Sequence, residues 1–205
     1  MNNDFANLQL SPEEMRLVSD PEWILTKNSI MGKVVGMMGE LAGTYRIVWG
    51  EGVLGIEPGD PKVSRGENYR GLPWVMLDYP RVFGREDVLA IRTMFWWGHG
   101  FNVTLHLKGL HLRAYLPVIL SRRDELAAAG FHVGIHEDEW RHEHTKEVYK
   151  PFPGEGAEHG GGAFAGHGFF KLSAAVGLDR WVEAPELLAG LFGTLTGILR
   201  ARGKV

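Results

Sequence analysis

The sequence predicts an α+β fold: an antiparallel sheet of five or six strands, with N- and C-terminal helices packed on one face. Two observations carry this. From Phe101 the chain alternates strictly, with Phe101, Val103, Leu105 and Leu107 set against Asn102, Thr104, His106 and Lys108, which is the period of a strand with one dry and one polar face. Helix signals stand at both ends, with a run of strand-like segments between them, and that arrangement segregates helices from an antiparallel sheet.

The N-terminal signals are specific. Ser11-Pro12-Glu13-Glu14 supplies an N-cap, a first-turn proline and first-turn acids, and Asp20-Pro21-Glu22 repeats them. The second helix is expected over Pro21–Gly43. Its apolar arc is Trp23, Ile24, Ile30, Met31, Val34, Val35, Met38, Leu41 and Ala42, at helical spacing. Lys27 sits inside that arc as its one misfit.

Thr44–Trp49 reads as a strand, and Glu51–Arg70 as turn chemistry, with Gly-Asp-Pro and Arg-Gly-Glu-Asn. Leu72–Tyr79 is a strand ended by Pro80. Val88–Trp97 is another, joined by a tight turn at Gly98-His99-Gly100 to the strand Phe101–Lys108. Gly109 stops that strand. Leu112–Ala129 is expected to be helical with a start or kink at Pro117. Phe131–Ile135 is a short strand, His136–Lys150 is charged and ambiguous, Phe169–Val176 is a strand, and Pro185–Arg202 is the closing helix. No repeat or linker divides the chain, so residues 1–205 are read as a single domain.

Composition excludes more than it assigns. There are no cysteines, which removes disulfides, thiolate zinc sites and cysteine catalysis. A net charge of −3 gives no reason to expect nucleic acid. The polar N-terminus has no apolar stretch of a secretory signal, so a cytoplasmic location is expected. The longest uncharged run of the closing helix, Leu187–Leu199, falls short of the ~20 residues a membrane span needs, so no membrane is expected.

Four groups of residues are candidate sites. The first lies on the polar side of the central hairpin. Pairing through a three-residue turn gives Asn102, Thr104 and His106 on one strand, and Arg92, Met94 and Trp96 on one face of the other. Asp78 and Arg81 flank the end of the preceding strand. A carboxylate, a guanidinium and an imidazole on one sheet face suit a small polar or anionic ligand. The competing and favoured reading is a half-exposed sheet whose polar side faces water, or an Asp–Arg pair bracing it. The second group is the run from His136 to His144. His142 and His144 share a face in a strand, and His136, Glu139 and Glu143 share one in a helix. Neither spacing is a known metal motif. A charged, solvated turn is the favoured reading, and a metal-dependent enzyme using His136, His142 and His144 is the alternative.

The third group, the glycine-rich segment 154–168 with His159 and His167, matches no phosphate-loop pattern and reads as a flexible surface loop. The fourth is a pair of glycine stripes inside helices: Gly32, Gly36, Gly39 and Gly43, then Gly190, Gly193 and Gly197. Each interior glycine costs about 1 kcal/mol against alanine. Close contact would offset that cost, either with a second copy of the chain or between the two helices. Tolerance of glycine on an exposed side is the remaining reading. The rings of Phe95-Trp96-Trp97 fall on both faces of one strand, so both faces are expected to be covered.

The segments EWILTKNSIMGKV, ENYRGLPWVMLDYPR, IRTMFWWGHGFNVTLHLKG, DEWRHEH and LDRWVEAPELL resemble an uncharacterised family of small bacterial proteins with no assigned activity. The resemblance implies a single bacterial domain and transfers no catalytic residue. The expectation is a non-catalytic binding or interaction module without a cofactor, partnered by a second copy of itself or by a small polar or anionic ligand. The alternatives are the metal-dependent enzyme, possibly hydrolytic, and a small-molecule enzyme built on Asp78, Arg92 and His106.

Overall fold

The computed structural model describes residues 8–50, 56–152 and 168–201. Two helices, α1 (Pro12–Val18) and α2 (Pro21–Trp49), lead into a sheet of seven strands. These are β1 (Lys62–Tyr69), β2 (Leu72–Phe83), β3 (Val88–Trp96), β4 (Gly100–Lys108), β5 (His132–Gly134), β6 (Tyr149–Pro151) and β7 (Phe169–Val176). Between β4 and β5 lie α3 (Gly109–Ser121) and α4 (Arg123–Ala128), and α5 (Ala184–Ala201) closes the described chain. The spatial order is β1-β2-β3-β4-β7-β5-β6, with every pair antiparallel. No helix of the described residues is long and apolar enough to cross a membrane.

The α+β reading with helices at both ends holds, and the strand count is corrected to seven. Thr44–Trp49 is the last part of α2, not a strand. Its buried side chains continue one helical stripe: Lys27, Met31, Val34, Met38, Leu41, Tyr45 and Trp49. Local β preference yields to that burial, since the Tyr45 ring stacks on Phe192 at 3.8 Å and its hydroxyl meets Thr93 at 2.8 Å. In turn, 62–69 is an edge strand and not turn chemistry; an edge tolerates its charges and its glycine. The short strand β6 makes up the count. Pro80 does not end β2, because the register shifts between Asp78 and Arg81 and the ladder resumes beyond it.

The predicted caps form. The Ser11 hydroxyl accepts from Glu14 N at 3.2 Å and Ser11 N donates to the Glu14 carboxylate at 2.7 Å, while Asp20 caps α2 through Glu22 N. The predicted helix at 112–129 starts earlier, at Gly109, and breaks at Arg122. Gly109 has φ +60°, and a Cβ there would lie 2.1 Å from the Asp87 carboxylate, so the strand-to-helix corner requires glycine.

One face of the sheet carries Val75, Leu77, Leu89, Ile91, Phe95, Val103, Leu105, Leu107, Phe170 and Leu172, in a common core with the buried stripes of α2, α3 and α5. Lys27, the misfit, lies at the edge of that core and pairs with the Glu67 carboxylate of β1.

Candidate functional site: a polar layer under a strap

The opposite face is polar and is not open to water. Asp78, Arg92, Thr104, Ser173 and His132 stand in one cross-strand row through β2, β3, β4, β7 and β5. Ala90, His106 and Lys171 form the next, and Met94, Asn102 and Ala175 the one on the other side. His106 and Ser173 are fully buried, and Asn102, Thr104 and Lys171 nearly so. The cover is residues 135–148, which have neither helix nor strand and cross this face as a strap. Both the water-facing reading of the sheet and the solvated-turn reading of His136–His144 are therefore corrected. Each polar segment is what covers the other.

An irregular chain laid on a sheet must still satisfy its backbone polar groups, and the sheet's side chains do this. Asn102 Nδ2 donates to His142 O at 2.7 Å. Lys171 Nζ donates to Glu139 O at 3.1 Å and also to Arg141 O. His142 N donates to the Tyr69 hydroxyl at 2.8 Å, and that hydroxyl donates to the Glu143 carboxylate.

Arg92 is the hub. It binds Asp78 through two bonds of 2.7 and 3.3 Å and donates Nη1 to His142 Nε2 at 3.1 Å. Its guanidinium sits 5.2 Å from the Phe83 ring centroid and 5.9 Å from that of Trp140. His106 Nε2 meets the Glu139 carboxylate at 3.1 Å, and Lys108 meets the same group at 2.8 Å. Glu143 is also paired with Arg141 and, at 3.3 Å, with Arg70. Thr104 donates to the Ser173 hydroxyl at 2.9 Å.

Burial controls the protonation states. It lowers His106 to about 3 and His142 to about 2, with the charges of Arg92 and Lys171 adding to both. His144 is lowered to about 4, by burial and then by His132. Burial also brings Lys171 down to about 7, with Arg92 next. For Glu143, burial works upward, and hydrogen bonds from Tyr69, the backbone and Arg141 outweigh it, so its carboxyl is held low. The Tyr69 phenol is pushed up to about 12 by burial and by Glu143.

The neutral histidines have defined tautomers. His142 accepts from Arg92 at Nε2, so its proton is on Nδ1; His106 donates Nε2–H to Glu139, so its Nδ1 is an acceptor. Both Nδ1 atoms are buried and, like Asn102 Oδ1, have no hydrogen-bond partner among the described residues. A crevice of about 40 Å³ lies beside Asn102, lined also by Met94, Trp96, Glu143 and His144.

The structure thus brings together Asp78, Arg92, Asn102, Thr104, His106 and His142. Arg81 is not with them: beyond the register shift it donates Nε to Asp60 O at 2.7 Å, at the surface. Trp96 shares the face but lies at its rim, stacked on His99 at 3.7 Å and donating to Tyr69 O. His136, His142 and His144 do not converge. His136 Nε2 meets Arg141 at 3.1 Å, His142 meets Arg92, and His144 stacks on Tyr149 at 5.1 Å. No group of three or more His, Asp or Glu among the described residues is arranged to hold a metal ion. The segment 154–168 lies, except for Gly168, outside the described residues.

Sequence reasoning passed over Lys171 and Ser173, although β7 alternates as β4 does, with Lys171 and Ser173 against Phe170, Leu172 and Ala174. Tyr69 and Tyr149 carried no readable signal, since each acts only through the strap. What these residues define is a covered polar layer in which Asp78, Glu139 and Glu143 are each paired with a basic side chain and Lys171 is held by backbone carbonyls. No protein-family model, curated protein or solved structure matches this chain.

Proposed function

We propose that this chain is a non-catalytic interaction module that pairs with a second copy of itself through the outer face of α2. The observation that carries the reading is the glycine stripe of that helix. A Cβ added at Gly32, Gly36, Gly39 or Gly43 would have nothing within 4 Å. Packing of the two glycine stripes on each other inside one chain is thereby ruled out, because those of α5 face open space too. Four interior glycines cost about 4 kcal/mol of helix propensity, and no contact among the described residues offsets it.

The surroundings support the same use. Ile47 is 82% exposed at one end of the stripe, and Trp23, Ile24 and Leu25 are exposed at the other. Leu8, Leu10, Met15 and Val18, on α1 and just before it, are exposed as well, and α1 buries no residue. Apolar exposure of that extent marks interaction surfaces. A two-fold axis between Gly36 and Met37 would set Lys33 against Glu40 of the partner subunit, twice, in an antiparallel helix pair. A contact of this kind is self-complementary, as an isologous dimer requires.

The non-catalytic part of the reading rests on the polar layer. Ser173 is held by Thr104 and not by a base, His106 is held by Glu139, and Lys171 is held by two carbonyls. No nucleophile and base are paired there. Light scattering on the wild type tests the association directly. A dimer is expected, and Gly36→Leu should give a folded monomer, because nothing among the described residues obstructs the new side chain. A wild type that stays monomeric at high concentration would remove the proposal.

A further inference from the structure

A second concave feature lies at the far end of the sheet, away from α2. It is a cleft of about 540 Å³ lined by His132, His144, Thr145, Lys146, Tyr149, Lys150 and Pro151. That volume is within the range of small-molecule sites. Four lining side chains carry basic nitrogen, and no carboxylate is among them. The wall is aromatic and rigid: His144 stacks on Tyr149 with rings 10° from parallel, and His132 meets His144 edge-on at 5.0 Å. Tyr149 is locked beneath, 2% exposed, with Lys171 Nζ 5.7 Å from its ring centroid.

The polar groups at the wall fit an acceptor ligand. His144 Nδ1 is buried and has no hydrogen-bond partner among the described residues. His132 Nδ1 meets Gly130 O at 3.1 Å. Lys146 and Lys150 are exposed, and the structure gives neither of them an ion pair among the described residues. A lysine on an edge strand such as β6 also discourages strand addition. That role needs no concavity and no stacked aromatic wall, and both are present.

We propose that this cleft binds a small organic anion with a flat aromatic body, its carboxylate or phosphate held between Lys146 and Lys150 and its ring against the His132–His144 wall. Two cations facing one anion give charge-assisted contacts, and a planar ring is the shape that a flat imidazole–phenol stack accepts. The proposal is independent of self-association, since the cleft and the outer face of α2 share no residue.

The test is titration of the full chain with phenyl phosphate, benzoate and inorganic phosphate, read by amide chemical shifts. The two aromatic anions are expected to saturate in the millimolar range or below, shifting His132, His144 and Lys150, with inorganic phosphate roughly tenfold weaker, the ~1.4 kcal/mol scale of one good contact. Lys146→Gln with Lys150→Gln should weaken binding about tenfold or more, while Lys62→Gln on the opposite edge strand should not. Both lysines are exposed, so the double variant is expected to fold, and its melt checks that. Lys146→Glu provides a second variant with the charge reversed. Failure of both aromatic anions to saturate, or equal binding by wild type and folded double variant, would overturn the proposal. Equal affinity for inorganic phosphate would overturn its aromatic part.

Discussion

Asp78 and Arg92 face each other across β2 and β3 and close a two-bond ion pair, and the same guanidinium reaches the strap at His142. One side chain therefore ties strand to strand and sheet to cover. Both partners are largely buried, at 13% and 9% side-chain exposure for Arg92 and Asp78. Removing one leaves a buried charge without its counter-charge.

Asp78→Ala and Arg92→Ala are each expected to lower stability by about 3–5 kcal/mol, the usual cost of breaking a buried pair. Asp78→Leu with Arg92→Met should recover part of that loss, because an apolar pair leaves no unmatched charge. Urea melts of the singles and the double measure the coupling. Unchanged melts for both singles would contradict the bracing role.

Acid should destabilise the protein before its carboxylates titrate. His106, His142 and His144 have folded values of about 3, 2 and 4, all below the usual 6.5. Between 6.5 and 4 the unfolded chain takes up these protons and the fold does not, so the contribution of these histidines is full above pH 6.5 and is lost as pH falls below it. The slope is up to about 1.4 kcal/mol per pH unit for each histidine. Lys171, lowered to about 7 from 10.5, acts in the same direction at higher pH, costing stability as pH falls from 10.5 toward 7. Urea midpoints from pH 8 to 4.5 check this, and His142→Asn should reduce the slope.

Lys171→Met should loosen the strap more than it unfolds the protein. The substitution removes the donors to Glu139 O and Arg141 O but also removes the cost of burying an ammonium. Global stability at pH 7 is expected to change by about 1 kcal/mol or less. Hydrogen exchange at the His142 and Glu143 amides should rise well beyond that change. Exchange that tracks global unfolding alone would contradict the docking role of Lys171.

The glycines separate cleanly into two kinds. Gly36→Ala and Gly39→Ala should each raise the stability of an isolated chain by about 1 kcal/mol, since the added methyl meets nothing within 4 Å. Gly66→Ala should be destabilising, because its Cβ would stand 2.6 Å from the Trp74 indole nitrogen. Thermal melts of the three variants decide the signs, measured under monomeric conditions for the α2 pair.

Local chemistry determined a good part of this protein from the sequence alone. The caps at Ser11 and Asp20, the hairpin through Gly98 and Gly100, and the alternation of β4 need only neighbours a few residues apart, so the residues that specify them are adjacent in the chain. The pairing of Asp78 with Arg92 was within reach for the same reason, as a cross-strand contact of consecutive strands. The tertiary structure decided the rest. Trp49 is helical and not extended because burial in a core assembled from distant segments outweighs β preference. The polar side of β4 faces the strap and not water because Asn102 and Lys171 meet carbonyls 30–40 residues away in an irregular segment. No period or motif encodes such a contact; it exists only once hydrogen-bonding groups on both sides must be buried together and can find partners nowhere else.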